Sequence, residues 1–570
     1  MKVILEKGMK LLFDNEEEYR TALEVVEEEL VHENPNKRSY ANAQRFPKNF
    51  VDKTYSYSKS DYSRRITIPR GSGDTLRRIM MKANIHLKKG DIQDNTCKGH
   101  KISIKHKFNP RDELQVQAIN SFVSNNKRHL ILNCSCGFGK SYCALKIAEK
   151  LSISTLLLVD ENLLLDQWIE NIENDCIFDL SKLGIVGKGK EEYVNKDVII
   201  ASKDTLINRP EIINYLNKHI GFVVVDEAHV ASADIFQSVL KELNPYRVLG
   251  LTATPKRSDG LSYLMHEQIG PICFKAEREK LLKLGSIMNP ELRVFYVNRG
   301  EYFKEKLDEY RTKKKSELLA IKPDKDNKYK IGNRKYTKKY WEKKVKETQF
   351  LDYDWQFLSN TVENDIKTIQ TISKIIKHHY DVGDQSICIC RKIEFAKKYL
   401  ETLKSMGVKE NEIALILGET KSSERMELIE RAKNKELKII ITSSILDKGI
   451  SIDSANVLFL LYPSKNENST EQRIGRVSRT QKGKTYAYVY DFIYDHGMFF
   501  AQFYKSQRIE YKECRWNVES YCTNYNRDKV KNFIDKMTDK FWCSLNVPLE
   551  VLDINNLSNE TLKNAETIII

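Results

Sequence analysis

The sequence contains no run of about eighteen apolar residues, so a membrane-spanning helix is excluded. Its first residues, Met1-Lys2-Val3-Ile4-Leu5-Glu6-Lys7, meet charge too early for a secretory signal. The tail Thr567-Ile568-Ile569-Ile570 carries no lipidation cysteine. Among 11 cysteines there is no CxxC pair, which removes the usual frame of a structural zinc or iron–sulfur site. Cys134, Cys136 and Cys143 crowd one segment, and Cys388 and Cys390 alternate within an apolar run. They read as reduced, mostly buried thiols. Neither end shows the carboxylate cluster of a nuclease. A soluble, intracellular protein without a membrane partner is expected.

What is present supports several folded cores. The chain has 570 residues, 41% of them hydrophobic and 30% charged. At roughly 100–200 residues per domain this predicts about three to five domains. Lys+Arg number 94 against 79 Asp+Glu, a net charge of +15. Residues 1–105 read as an accessory domain, with a helix over Glu16–Leu30, a polar Tyr55–Arg65 loop and a strand from Arg65 that Pro69 and Gly71 end.

From 106 to 290 short apolar runs alternate with helical stretches: Leu130–Leu132, Thr155–Val159, Val198–Ala201, Phe222–Val225 and Val248–Leu251. A second series, 361–500, has runs at Ser386–Cys390, Ile413–Leu417, Leu437–Thr442, Val457–Leu461 and Tyr486–Tyr490. Unbroken apolar strands between helices imply parallel sheets covered on both faces. The fold class is α/β, two such lobes in tandem. Between them lies a basic linker or insertion, 291–360, and after them a short C-terminal extension, 501–570. Residues 301–350 alone hold 17 Lys+Arg against 9 Asp+Glu, more than half of the chain's excess.

Cys134-Ser135-Cys136-Gly137-Phe138-Gly139-Lys140-Ser141 follows an apolar run and opens a helix. Closely spaced glycines let main-chain N–H groups surround phosphate oxygens, and the helix start adds partial positive charge. Lys140 can reach the outer phosphates of ATP and the Ser141 hydroxyl can hold Mg²⁺. The strict Walker pattern asks for glycine where Cys134 stands. Downstream, Asp226-Glu227-Ala228-His229 places two carboxylates at a strand end, where open parallel sheets bind ligands. Asp226 would help hold Mg²⁺ and Glu227 would activate the attacking water.

With Leu251-Thr252-Ala253-Thr254-Pro255 and Gln472-Arg473-Ile474-Gly475-Arg476-Val477-Ser478-Arg479, these motifs resemble a superfamily 2 DEAH-box helicase over roughly residues 108–495. Thr254-Pro255-Lys256-Arg257-Ser258-Asp259-Gly260, Asp166-Gln167-Trp168 and Gly187-Lys188-Gly189-Lys190 narrow the likeness. They are similar to the eukaryotic transcription-and-repair translocase, the phage recombination helicases and the poxvirus transcript-release helicase. The resemblance implies two RecA-like lobes, ATP and Mg²⁺ as cofactors, and movement on nucleic acid, DNA ahead of RNA. It implies that Gln115 reads adenine, with Gln117 a competitor, and that Gly137, Phe138, Gly139, Lys140 and Ser141 cradle phosphate. His229, Thr252 and Thr254 would couple the lobes, and Gln472, Arg476 and Arg479 would act on the γ-phosphate. Gly449 would line the nucleotide, with Ser451 where many members have a ribose-contacting Asp.

The basic block mixes Lys313, Lys314, Lys315, Lys338 and Lys339 with Tyr340 and Trp341. Lysines hold backbone phosphates and rings stack on unpaired bases. A solvated helical insertion is the competing reading. The Lys-, Asn- and Ile-rich composition suggests an AT-rich genome, and together with the narrower resemblance this implies a large cytoplasmic DNA virus as the source. A viral source would place the protein in the host cytoplasm and the virion, in contact with a transcription complex. An RNA helicase, a nucleotide-gated scaffold and a restriction-type motor subunit are the alternatives.

Overall fold

The computed structural model describes residues 1–34, 52–160, 162–229, 234–253, 261–297, 300–331, 334–348, 355–443, 452–462, 467–481, 483–494, 517–523 and 549–552. The chain divides into two compact bodies, which meet in sequence between Ile287 and Met288.

The first body opens with a five-stranded sheet built from Ser58–Ser60, Arg65–Ile68, Met9–Leu12, Lys2–Leu5 and Ile92–Asp94, in that order. Helices Glu16–Glu29 and Gly73–Lys82 contribute to its core, where Leu11, Val25, Ile66 and Ile79 are fully buried. The expected Tyr55–Arg65 loop contains an edge strand, Ser58–Ser60, paired antiparallel to Arg65–Thr67. Its residues are polar and solvent-facing, so no hydrophobic alternation marks it. Arg70 fastens this domain to the adjoining lobe. Its guanidinium donates to the Lys7, Leu240 and Leu243 carbonyls at 2.8, 2.7 and 2.5 Å.

That lobe is an eight-stranded sheet in the order Lys190–Glu191, Leu183–Gly187, Val198–Ser202, Thr155–Val159, Phe222–Val225, Arg247–Thr252, His129–Cys134, Ile272–Ala276. Every pairing is parallel except the first. Alternate residues face opposite sides, and both sides are buried. Leu157, Ile200, Val224 and Leu249 join one apolar cluster, while Leu156, Ile199, Val223 and Val248 join the other. Burying each such side chain contributes roughly 1.5–3 kcal/mol. That explains the unbroken apolar runs.

The second body holds another eight-stranded sheet, parallel throughout its pairings, in the order Ile413–Ile416, Ile439–Thr442, Ser386–Ile389, Val457–Leu460, Tyr488–Tyr494, Glu291–Val297, Asn517–Thr523, Leu549–Leu552. The lobe expected over 361–500 therefore takes strands from both flanks. Glu291–Val297 lies in the stretch expected to be linker, and Asn517–Thr523 and Leu549–Leu552 lie in the expected C-terminal extension. Strand 291–297 fills the slot between 488–494 and 517–523, where Arg293 donates to the Tyr490 hydroxyl at 2.8 Å.

The basic block belongs to this second body. It is a long helix, Gly300–Leu319, an antiparallel pair Tyr329–Ile331 and Arg334–Tyr336, and a helix Lys338–Glu347 whose start Thr337 caps. Tyr310 anchors it by stacking on Phe357, with ring centroids 4.1 Å apart. No described helix is long and apolar enough to cross a membrane. Cys97, Cys134, Cys136, Cys143, Cys176, Cys273, Cys388 and Cys390 are free thiols, and no group of three or more metal-ligating side chains occurs among the described residues.

Candidate active site

Parallel register brings the carboxyl ends of three neighbouring strands of the first lobe to one edge. Asn133 pairs with Thr252 and Val225 with Gly250. The phosphate loop, the Asp226–Glu227 pair and Thr252 emerge there together.

The loop leaves strand His129–Cys134 and enters helix Lys140–Leu151. Gly137 and Gly139 have φ of +84° and +91°, the left-handed region that glycine enters without steric cost. A Cβ on Gly139 would also lie 2.7 Å from the Gln115 amide nitrogen. Cys134, the departure from the strict pattern, is the last strand residue and is fully buried beside Phe138 and Cys143. Burial pushes its thiol up to about 12. It serves the core, and the cradle begins after it.

Lys140 Nζ stands 4.0 Å from Glu227 Oε1. Burial works against its ammonium, but Glu227 and Asp226 outweigh this and hold its pKa above the ordinary lysine value. Asp226 accepts from the Glu227 amide at 2.9 Å and from Trp168 Nε1 at 2.9 Å. Its carboxyl is pushed up to about 6, first by burial and then by the neighbouring Glu227 charge. Two partly buried carboxylates beside one ammonium, next to a glycine-bearing turn that leads into a helix N-terminus, suit a divalent cation and a polyphosphate. Glu227 itself has φ +46°, a conformation uncommon outside glycine that clusters at functional sites.

His229 Nδ1 lies 3.4 Å from Glu227 Oε2 and 3.3 Å from Thr252 Oγ1. The residues expected to couple the lobes thus run in contact from the Glu227 carboxylate to the next strand. Thr254, the run Pro255–Gly260, Gly449 and Ser451 lie outside the described residues. Gln115 is buried, and its amide meets the protein at both ends. Its oxygen accepts from the Arg111 amide and its nitrogen donates to the Phe138 carbonyl, each at 2.8 Å. It braces the phosphate loop. Ser141 is half-buried in the first turn of the loop's helix.

In the second body, helix Glu467–Val477 carries Gln472, Arg473 and Arg476, and Arg479 follows it. Arg476 is buried. Arg473 donates to the Tyr462 hydroxyl at 2.7 Å, and Arg479 donates to Asp453 at 3.1 Å.

Of the expected nucleic-acid residues, Lys313, Lys315, Lys338, Lys339 and Tyr340 are exposed, and Lys314 pairs with Glu317 at 2.9 Å. Trp341 is spent inside the insertion. It stacks on Tyr329 with centroids 4.5 Å apart and donates to the Leu318 carbonyl at 2.8 Å. Tyr340 stacks on Tyr336 at 4.4 Å. In the sequence Trp168 stands out only as the end of Asp166-Gln167-Trp168. The structure gives it contact with Asp226, for which a tryptophan on a helix offers no local signal.

Comparison with known proteins matches residues 106–257 to the family "Type III restriction enzyme, res subunit" and 367–481 to "Helicase conserved C-terminal domain". The chain is 25% identical over 378 residues to the DNA 3'-5' translocase XPB2 of Sulfurisphaera tokodaii, covering 66% of this chain and 80% of that protein. It is 25% identical over 368 residues to the probable helicase D10 of Escherichia phage T5, covering 64% and 68%. With a general transcription and DNA repair factor IIH helicase/translocase subunit, XPB1 of Arabidopsis thaliana, it shares 24% over 404 residues, 69% of this chain but 46% of that one. Among solved structures, the ATP-dependent Type ISP restriction-modification enzyme LlaBIII bound to DNA aligns at a TM-score of 0.49 and 15% identity, covering 81% of this chain and 32% of that one.

Proposed function

We propose that this chain, which belongs to the superfamily 2 helicases related to the XPB translocases and viral helicases, moves along DNA as an ATP- and Mg²⁺-driven translocase. It is an ATP hydrolase that couples turnover to movement on nucleic acid. The observation that carries the mechanism is the joint emergence of the phosphate loop, Asp226–Glu227 and Thr252 at one sheet edge. Lys140 and the loop amides would bind and orient the phosphates, while Ser141 and Asp226 would hold the metal. Glu227 takes the proton from water. Bound Mg²⁺ supplies charge neutralisation at the phosphates. His229 and Thr252 pass the state of that carboxylate to the adjoining strand. Gln472, Arg476 and Arg479, by the family resemblance, act on the γ-phosphate.

Support for DNA over RNA comes from the relatives named as DNA translocases and as transcription and repair subunits. A role in transcription or in DNA repair agrees with the printed name of the Arabidopsis relative, and viral transcript release and recombination are what the sequence resemblance adds. The deciding experiment measures ATPase stimulation by single-stranded DNA, duplex DNA and RNA side by side. Stimulation by RNA alone would favour an RNA helicase. Binding of nucleic acid without stimulated turnover would favour a nucleotide-gated scaffold.

The insertion supports backbone grip. Residues 311–346 hold 15 Lys+Arg against 4 Asp+Glu, so the excess lies beyond the base of the long helix. Neutralising Lys313, Lys314, Lys315, Lys338 and Lys339 should weaken binding to all sequences alike. The log–log salt slope should fall by about 0.7–0.9 for every phosphate the protein no longer grips. Basal ATPase should be unchanged. A slope that stays put would sink the grip and leave the insertion a solvated projection. Because Tyr340 is exposed, whereas Trp341 is half-buried with its N–H taken by the Leu318 carbonyl, any fall in single-strand binding should follow Tyr340 rather than Trp341.

A further inference from the structure

A turn closes between Gln481 and Lys484, directly after the arginine-bearing helix. The Lys484 amide donates to the Gln481 carbonyl at 3.0 Å, and Gly483 takes the left-handed conformation that glycine enters without steric cost, with φ +85°. Lys484 Nζ lies 3.2 Å from the Asp453 carbonyl, 2.6 Å from that of Ala455 and 2.7 Å from that of Val477. An ammonium has three N–H donors. Each meets a main-chain oxygen.

These three carbonyls belong to two segments, one of them the helix read as carrying γ-phosphate residues. Val477 ends the helix carrying Gln472 and Arg476, so its carbonyl is one that the helix leaves unpaired, at the negative end of the helix dipole. Asp453 and Ala455 form the turn entering strand Val457–Leu460. Asp453 is engaged at both ends. Its carbonyl faces Lys484, and its carboxylate accepts from Arg479 at 3.1 Å. Holding a cation against carbonyls is costly, since burial pulls the Lys484 pKa down to about 8, with Asp453 acting in the opposite direction. A lysine placed there joins the segment before the strand, the helix end and, through Asp453, Arg479.

We propose that Lys484 is a positioning residue for ATP hydrolysis, which together with Asp453 fixes Arg479 and the end of the Arg476 helix in register. The assignment rests on reading Arg479 as a residue that acts on nucleotide. Lys484→Met should lower kcat by about 10²-fold, the scale of a 1 Å misplacement, with KM for ATP unchanged. Lys484→Arg, which keeps the charge and the donors, should restore most of the rate. Asp453→Asn keeps the carbonyl for Lys484 but weakens the ion pair with Arg479, and should show the same selective fall in kcat. It decides the matter if Lys484→Met does not fold. Arg479→Ala and its combination with Lys484→Met close a double-mutant cycle, in which the double variant should be no slower than Arg479→Ala alone.

Normal kcat in Lys484→Met and Asp453→Asn, with Arg479→Ala inactive, would overturn the positioning role and leave Arg479 as read. Independent effects that multiply in the double variant would also overturn it. Normal turnover in Arg479→Ala would overturn the reading of Arg479, and this assignment with it.

Discussion

Glu227→Gln should keep ATP affinity near that of the parent protein and lower turnover by at least ~10²–10⁴-fold, the usual contribution of a positioned general base. The substitution preserves shape and removes one proton acceptor. The loop backbone is untouched, because Gly137 and Gly139 sit at the strand–helix junction, braced by Gln115 and not by Glu227. Electrostatics point the same way. The Glu227 charge helps to hold the Asp226 carboxyl up at about 6, so removing it lowers that pKa and leaves Asp226 more fully ionised at neutral pH. Asp226, the carboxylate proposed to hold the metal, would then be the stronger ligand, while Lys140 is released from the carboxylate 4.0 Å away and is freer to meet phosphate. Nucleotide binding and steady-state hydrolysis, measured on one preparation, test both halves. Near-normal hydrolysis would show that another group activates the water.

The parts of this site that are legible in the sequence are contiguous. A glycine-rich turn, a lysine and an apolar run ending in Asp-Glu each sit within a few residues, because one strand end must present them together. What stays hidden depends on distant pairing. Trp168 meets Asp226 across 58 residues, and nothing around Trp168 distinguishes a donor to a carboxylate from an ordinary buried ring. Strand Glu291–Val297 reads as the start of a linker until its partners at 488–494 and 517–523 are seen on either side. Trp341 among lysines suggests base stacking, yet its ring is taken by Tyr329. Asp453 shows why position in a motif is a partial guide. It stands two residues past position 451, where the family resemblance implies a ribose-contacting residue, and it meets an arginine instead. The Gly-to-Cys departure at residue 134 weakens the pattern match but not the loop, since the side chain turns into the core.

Arg476→Ala and Arg479→Ala should each abolish most hydrolysis while sparing nucleic-acid binding measured without ATP. Arginines that stabilise the charge of a transferred phosphoryl group contribute about 10³–10⁵ in rate. Both lie in the second body, whereas the phosphate loop and the Asp226–Glu227 pair lie in the first, so truncation leaves the primary nucleotide-binding residues as they are. The two differ in what else they do. Arg476 is buried within its helix segment, and its removal should also lower the melting temperature; Arg476→Lys, which keeps a cation, separates stability from rate. Arg479 is about one-third exposed and tied to Asp453, so its truncation should cost little stability, as expected of a partly solvated ion pair. Turnover, ATP-free DNA affinity and melting temperature should therefore separate into distinct patterns. If DNA affinity falls as steeply as hydrolysis in either alanine variant, that arginine contacts nucleic acid rather than nucleotide. The rate would then depend on Gln472 and the remaining arginine.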